Sequence, residues 1–443
     1  METQEYKGFW WIPTDIENKV AGILYYTPGD EIRLELIGSF DKENDNSIAV
    51  IFSAKEERVI HGKSSDGNEI TLIDNSCYIS YKEKAGFPTS IYKAREIAIG
   101  IHISGEDDQR FFKAVVKIPE LSYWLYPASV KQVWEDSKNG HSIYVKYDPP
   151  STEEREVGRT SVKDGLSLCL CRNASYNSGE FLFKPTFEQY TSLQIESIRP
   201  LSLMDFYIAA VRFEKFLSLA TLREVGYSEL LLYSEDSKVT ISKKNKRPRS
   251  IIVDTILHQK PSEKKINRSS FLFSYEQVID RYQQALQKWF SEDEEFDAIR
   301  EHFLDSIDYH APFSYINFLV AIQAVEGYGR RYLKKEYNNF YKSLSPEEKK
   351  SSGYLLKCLK TVFLLFKDVK IVKQDTDLNA IVFARNYHSH LLPKQGEPSV
   401  DIEKLYHLTD ELRKILICCI MSYLGFTNRE IDEITNSSNN DLF

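Results

Sequence analysis

The chain has 443 residues, which suggests two or three domains, and its 42% hydrophobic and 28% charged residues are typical of a globular protein with a well-filled core. The net charge of −8 excludes a uniformly basic protein that coats long nucleic acid, so any RNA contact must come from a local basic patch or a narrow site. The first residues lack a signal pattern, and no apolar run approaches the roughly 20 residues that a membrane helix needs. We therefore expect a cytoplasmic protein without a membrane partner.

Short apolar segments separated by turn signals predict β structure for the first two hundred residues. Ile32, Leu34 and Leu36 alternate with their neighbours at the two-residue period of a strand with one buried face. Further runs of this kind cover residues 47–52, 69–73, 96–103, 114–118, 142–147, 166–171 and 193–195. Gly67 and Gly140, each after Asp or Asn, supply the positive φ that tight hairpins require. The pattern predicts a mainly antiparallel sandwich or irregular barrel.

The hydrophobic period changes at about residue 201. Apolar residues three and four apart predict an amphipathic helix over about residues 201–223, followed by strands at 230–233 and 250–257. Between those strands lies a basic loop that contains Lys243, Lys244, Lys246, Arg247 and Arg249. Such charge runs are usually solvated hairpin tips, and the alternative is an arm that contacts RNA phosphates. These five residues are therefore candidates for RNA binding.

A polar linker is predicted at residues 260–270, and the region after it is predicted to be helical throughout. Helices are predicted at residues 275–290, 294–307, 315–341, from 346 toward 372, 377–392 and 402–424. Capping boxes at Ser345 and Thr427, each with a glutamate three residues later, are specific helix-start signals. We expect an α+β protein with a β-rich domain over residues 1–260, an all-α bundle over residues 271–435 and a polar, disordered tail over residues 436–443.

The six cysteines do not form a paired C-x-x-C array with nearby histidines, so we expect neither a zinc site nor a cofactor. Cys169 and Cys171 lie in a predicted strand, and Cys418 and Cys419 lie in a predicted helix. Buried, reduced thiols are the expectation for these pairs.

The helix predicted at residues 377–392 carries polar groups on the face that should be buried. An apolar stripe of Leu378, Ile381 and Val382 continues into Arg385 and His388. Because a buried charge needs partners, this face is a candidate polar site or interface. Arg385 and His390 are five residues apart, about 140° around an ideal helix. One helix therefore does not easily direct both groups at one atom, whereas two copies across a twofold axis would bring them together more easily.

These residue types suit RNA cleavage. An imidazole, with an unperturbed pKa of about 6.5, takes a proton from a ribose 2′-OH or gives one to a leaving oxygen near neutral pH. The Arg385 guanidinium offers several donors to the charge that builds on phosphorus, and no metal is needed. Asn386 can orient the phosphate or the histidine. The spacing of Arg385 and His390 alone is a weak signal.

Residues 383–391, with Arg385, Asn386 and His390, resemble the R-N-x-x-x-H signature of HEPN domains, especially those of the ApeA-like group. Residues 318–328 resemble the family's long second helix, and residues 411–426 resemble its closing segment. Residues 8–13, 22–25, 32–38, 61–62 and 70–72 resemble the ApeA N-terminal domain. The resemblance therefore spans nearly the whole chain.

By this resemblance the protein would be a metal-independent, homodimeric RNA endonuclease of bacterial anti-phage defence. Arg385 would stabilise the transition state, His390 would act as acid or base, and Asn386 would position the reacting groups. The substrate would be RNA, with tRNA as one candidate, and the β domain would sense an unknown phage-derived trigger or restrain the nuclease.

Three residues are possible accessories to this site. Tyr387 and His388 occupy the variable positions of the signature, and a packed or interface role is the alternative for His388. Glu326 shares a buried stripe with Leu319 and Ile322, where Arg330, four residues later, would satisfy its charge as a plain helix pair.

Two other functions remain open from the sequence. The chain could be a non-catalytic, dimeric HEPN module that binds RNA or nucleotide for another effector. Alternatively, the β domain could be a sandwich that binds carbohydrate or protein, with helices that serve only as structure.

Overall fold

The computed structural model describes residues 2–40, 56–81, 89–126, 129–137, 140–163, 165–178, 185–242, 245–258, 261, 266–268, 271–291, 293–307, 314–351, 353–390 and 400–437. The chain forms two compact units. The first comprises Met1–Ser122, Pro127–Glu214 and Val225–Glu263, and the second comprises Tyr123–Tyr126, Lys215–Glu224 and Lys264–Phe443.

The first unit begins with a small closed barrel. Its strands are β1 (Gln4–Trp11), β2 (Val20–Thr27), β3 (Glu31–Leu36), β4 (Glu56–Ser64), β5 (Glu69–Tyr81) and β6 (Thr89–Lys93). They pair in the order β5-β4-β1-β2-β3-β6, and β6 pairs back onto β5, so the sheet closes on itself. The prediction of an antiparallel, barrel-like N-terminal region is confirmed.

The barrel core follows from residue alternation along the strands. In β3 every second residue is buried, as the two-residue period of Ile32, Leu34 and Leu36 predicts. Trp10 is fully buried and lies over Gly62, where an added Cβ would come within 2.2 Å of the indole ring. The close approach of β1 and β4 therefore requires glycine at position 62.

The sheet continues beyond the barrel through the first half of β5. Strands β7 (Glu96–Ile99), β8 (Phe111–Lys117), β11 (Glu156–Lys163), β12 (Leu166–Asn177), β13 (Thr186–Leu201), β14 (Glu229–Ser242) and β15 (Asn245–Thr255) extend it in the order β7-β15-β14-β8-β13-β12-β11. Strands β9 (Val130–Ser137) and β10 (Gly140–Tyr147) form a separate hairpin. Helices α1 (Pro119–Trp124), α2 (Thr152–Arg155) and α3 (Leu203–Thr221) connect strands.

Two details of the strand predictions need correction. The strand expected at residues 96–103 ends at Ile99, because Gly100 adopts a φ of +119° that leaves the extended region. The basic stretch is not wholly a loop, since residues from Asn245 onward belong to β15 and pair with β14. The run expected at residues 47–52, and Lys243 and Lys244, lie outside the described residues.

The second unit is helical. Its helices are α4 (Tyr275–Val278), α5 (Tyr282–Trp289), α6 (Glu294–Ile307), α7 (Tyr315–Tyr332), α8 (Lys334–Ser343), α9 (Pro346–Ser351), α10 (Tyr354–Leu365), α11 (Leu378–His390), α12 (Ile402–Leu424) and α13 (Asn428–Ser437). Both predicted capping boxes are present: the Ser345 amide donates to Glu348 at 2.9 Å, and the Thr427 amide donates to Glu430 at 2.7 Å. Among the described residues no helix has the length and apolarity needed to cross a membrane.

Three predicted helices are broken in the structure. Residues 275–290 divide into α4 and α5, residues 315–341 divide at the buried Leu333, and residues from 346 divide before Gly353. Leu333 has non-helical backbone angles of −112° and 30°, which let its side chain enter the core at the corner. The burial of Leu333 ends α7 at this residue, although the helical spacing of apolar residues continues beyond it. Helix α13 also extends to Ser437, two residues into the expected tail.

Candidate active site

Helix α11 presents the candidate catalytic residues, and its first turn is fixed by Asp377. The Asp377 carboxylate accepts the Ala380 amide at 3.0 Å and the Lys404 ammonium at 2.9 Å. These bonds hold the pKa of Asp377 below its usual value, with the amide bond as the larger cause. The helix therefore begins at a defined position relative to α12.

The predicted buried face of α11 is more open than expected. Only Ile381 and Ala384 are buried, whereas Arg385 and His388 are half-buried. Helix α11 packs on α7 and α10, and Asn386, Ser389 and His390 in its second half are exposed. Arg385 can therefore keep its charge without full burial.

Among the described residues, the Arg385 guanidinium has two polar partners. It donates to the Asn386 side-chain oxygen at 3.2 Å and lies 3.8 Å from a Glu326 carboxylate oxygen. The other oxygen of Glu326 pairs with Arg330 at 2.6 Å, as the helix spacing predicts. The Glu326 side chain is 11% exposed, so its charge lies between two guanidinium groups in a largely desolvated position. Sequence reasoning missed the pair with Arg385, because it joins α7 to α11.

His388 and Tyr387 are packed side chains. The His388 ring stacks on Tyr315 at 4.3 Å and meets Tyr387 edge-on at 5.0 Å. Burial lowers the pKa of His388 below its ordinary value, so this ring is neutral near pH 7. Tyr315, which the sequence did not single out, thus fixes the orientation of His388.

His390 is the last residue of α11 and is exposed. In the described part of the chain, the polar contacts of Arg385 involve Asn386 and Glu326 and do not include His390. The helix therefore places an anchored guanidinium and an exposed imidazole on different sides, as the angular separation of about 140° implies.

The basic stretch lies in the first unit. Arg247 is exposed, and Arg249 donates a hydrogen bond to Asn68 within the same unit. Lys246 belongs to β15, and Lys243 and Lys244 lie outside the described residues. Of the five candidates, Arg247 and Arg249 thus have described side chains.

One group of described residues has ligand atoms close enough to hold a metal ion. The side chains of Glu156, Cys169 and Cys171 place one such atom each within 4.8 Å of the others. The Arg159 guanidinium forms an ion pair with the Glu156 carboxylate at 2.7 Å. The cysteines are buried, free thiols, as predicted, and a hydrogen bond from Cys171 lowers the pKa of Cys169. The carboxylate is thus already paired with a cation.

Comparison with known families matches both halves of the chain. ApeA N-terminal domain 1 matches residues 5–289, and the Apea-like HEPN domain matches residues 319–430, which include Glu326 and all of α11. No curated protein and no solved structure matches. HEPN domains are generally associated with ribonucleases, and both matched domains are associated with defence modules. The chain therefore belongs to the ApeA-like HEPN family, with an ApeA N-terminal domain followed by an Apea-like HEPN domain.

Proposed function

We propose that the protein is a metal-independent RNA endonuclease of anti-phage defence, in which Arg385, Asn386 and His390 perform the cleavage. The observation that carries the proposal is the arrangement on α11: an exposed imidazole at its end and a guanidinium held one turn earlier by Glu326 and Asn386. Its substrate is RNA, with tRNA as one candidate.

These groups can perform the reaction by proton transfer and charge stabilisation. His390 as base takes the proton of a ribose 2′-OH, and the oxygen attacks the adjacent phosphorus. The new O2′–P bond forms as the P–O5′ bond breaks, and the His390 imidazolium then gives its proton to the leaving O5′. The products are a 2′,3′-cyclic phosphate and a 5′-hydroxyl. Arg385 donates to the oxygens on which negative charge builds, and Asn386 orients the phosphate.

We propose that the active species is a homodimer in which α11 of one copy faces α11 of the other. Large side chains beside the site are incompletely buried in one chain: Tyr315 is 47% exposed and Ile316 is 69% exposed, at the start of α7. Phe383 and Tyr387 on α11 are half-buried. A second copy would cover this apolar surface and bring its own His390 toward Arg385.

The first unit serves, in this proposal, as the sensor or restraint. A cytoplasmic ribonuclease would be toxic without control, and the barrel and extended sheet supply a large folded unit that is separate from α11. A phage-derived molecule is the proposed trigger.

The test is RNA cleavage by variants of the full-length protein in cells exposed to phage. Arg385→Ala and His390→Ala are expected to abolish cleavage and toxicity. Arg429→Ala and His407→Ala are matched controls, since both residues are exposed in the same helical unit, and they are expected to retain cleavage. RNA binding without cleavage by the parent protein would support instead the non-catalytic HEPN module, and full toxicity of His390→Ala would contradict the proposal.

A further inference from the structure

A cavity of about 790 Å³ lies on the barrel surface, over strands β1, β2 and β4. Its volume falls within the range of small-molecule sites, about 300–1,000 Å³. The lining side chains of β1 are those of Lys7, Phe9 and Trp11, with the Gly8 backbone between the first two. They alternate with Trp10, which is buried in the barrel core. The cavity is therefore on the outer face of the sheet. We propose that it binds a mononucleotide.

The floor of this cavity has two exposed apolar side chains with a small residue between them. Phe9 and Ile37 are each 56% exposed, and Ala21 lies between them. Ala21 is the register partner of Phe9, and its carbonyl accepts the Ile37 amide at 2.8 Å. The small alanine leaves a slot between two larger apolar side chains. A nucleobase can pack there between the Phe9 ring and the Ile37 side chain.

At one end of the cavity lies Trp11, which is 6% exposed because it packs against two histidines. The Trp11 ring meets the His102 ring edge-on at 5.2 Å, and His102 stacks on His61 at 4.5 Å. Each histidine bonds a backbone carbonyl beside the other: His61 to Ile103 at 2.9 Å and His102 to Gly62 at 2.8 Å. These contacts hold the Trp11 ring in place before a ligand binds, which reduces the entropy cost of binding.

The rim of the cavity is positive. Lys7, Lys19 and Lys63 line it, and Glu69 is the one acidic residue of the lining. Glu69 pairs with Lys63 at 3.3 Å. In the described part of the chain Lys7 and Lys19 have no carboxylate partner, and the Lys19 ammonium lies 5.0 Å from the Trp11 ring. Two uncompensated ammonium groups beside an apolar slot suit a ligand that joins a ring to a phosphate.

A peptide strand fits this surface less well. β1 is hydrogen-bonded to β2 on one side and to β4 on the other, so it has no free edge to which a strand could add. A ligand here cannot pair with β1 as an added strand. This favours a compact ligand with one ring and one concentrated negative charge.

The experiment is calorimetric titration of the full-length Arg385→Ala variant with each of the four ribonucleoside triphosphates. At least one is expected to bind saturably. Its nucleoside and inorganic triphosphate are each expected to bind about tenfold or more weakly, since each lacks one half of the contacts. Phe9→Ala and Lys7→Glu are each expected to weaken binding by about tenfold. Trp134→Ala and Lys131→Glu, exposed positions on the β9–β10 hairpin, are expected to leave it unchanged.

The inference is overturned if none of the four triphosphates binds, if the nucleoside binds as tightly as its triphosphate, or if Phe9→Ala and Lys7→Glu have no effect. Binding of a ten-nucleotide single-stranded RNA through these residues, without binding of free nucleotide, also overturns it. Binding is read in a chain that lacks Arg385, so its failure leaves the ribonuclease proposal intact, and failure of that proposal leaves the binding result intact.

Discussion

Two glycines of α7, two residues apart, give a prediction with a built-in control. A Cβ added at Gly329 would lie 2.5 Å from the Cys358 sulfur and 3.1 Å from a Val362 methyl. Cys358 is 1% exposed and Val362 is fully buried, so neither side chain has free space to move into. A Cβ added at Gly327 would meet a methylene carbon of Ile299 at 3.7 Å, an ordinary contact.

The two alanine variants are therefore expected to change stability in opposite directions. Both gain about 0.8–1 kcal/mol from helix propensity. Gly329→Ala also overpacks the contact between α7 and α10, at a cost of about 1–3 kcal/mol, so its net change is a destabilisation of about 1 kcal/mol. Gly327→Ala adds no close contact, so it is expected to stabilise the protein by most of the gain in helix propensity. Urea denaturation followed by circular dichroism measures both, and a Gly329→Ala variant as stable as Gly327→Ala would refute the close packing of these helices.

Three further predictions concern single side chains. Glu326→Gln removes the charge that holds Arg385, so kcat for RNA cleavage is expected to fall about tenfold with little change in KM. Arg330→Gln leaves the pair between Glu326 and Arg385 in place and is expected to have a small effect. Equal losses of kcat in the two variants would contradict the positioning role of Glu326. His388→Phe keeps the stack on Tyr315 and is expected to retain RNA cleavage. Loss of cleavage in this variant would indicate that the His388 imidazole itself takes part in the reaction. His258 accepts the Tyr227 amide at 3.1 Å and lies 3.5 Å from a Glu214 carboxylate oxygen. Burial outweighs these contacts and lowers the pKa of His258 to about 4, so the unfolded chain binds the proton first as pH falls. The contribution of His258 to the free energy of unfolding is present above pH 6.5 and is lost toward pH 4, by about 2 kcal/mol between pH 7 and pH 5. Urea denaturation at these two pH values should show a smaller pH dependence of stability in His258→Gln than in the parent protein. An equal dependence would contradict burial of a neutral ring.

Local patterns in the sequence were sufficient for much of the fold. The capping residues Ser345 and Thr427 start helices where they were expected, and the predicted bounds of α6 and α12 match the structure. Such features depend on neighbouring residues in the chain. Closure of the barrel depends on pairing of β6 with β5 and β3, which single-strand periodicity does not encode.

The candidate site was predicted in part for the same reason. Arg385, Asn386 and His390 are neighbours on one helix, so their spacing is visible in the sequence. The pair between Arg385 and Glu326 and the stack of His388 on Tyr315 join α11 to α7, and no sequence period links these helices. The openness of the α11 face was also missed, because helical periodicity indicates which side is apolar and does not indicate how much of it a neighbour covers.

The central proposal is that Arg385 of one copy and His390 of another form one catalytic site. Two differently tagged chains, one with Arg385→Ala and one with His390→Ala, can be co-expressed and purified through both tags so that only mixed dimers remain. A composite site predicts about half of the parent's RNA cleavage, because one of two sites keeps both groups. The reciprocal control pairs an unmodified chain with a chain that carries both substitutions, and it is expected to be inactive. Cleavage by the control and none by the mixed single variants would contradict the account.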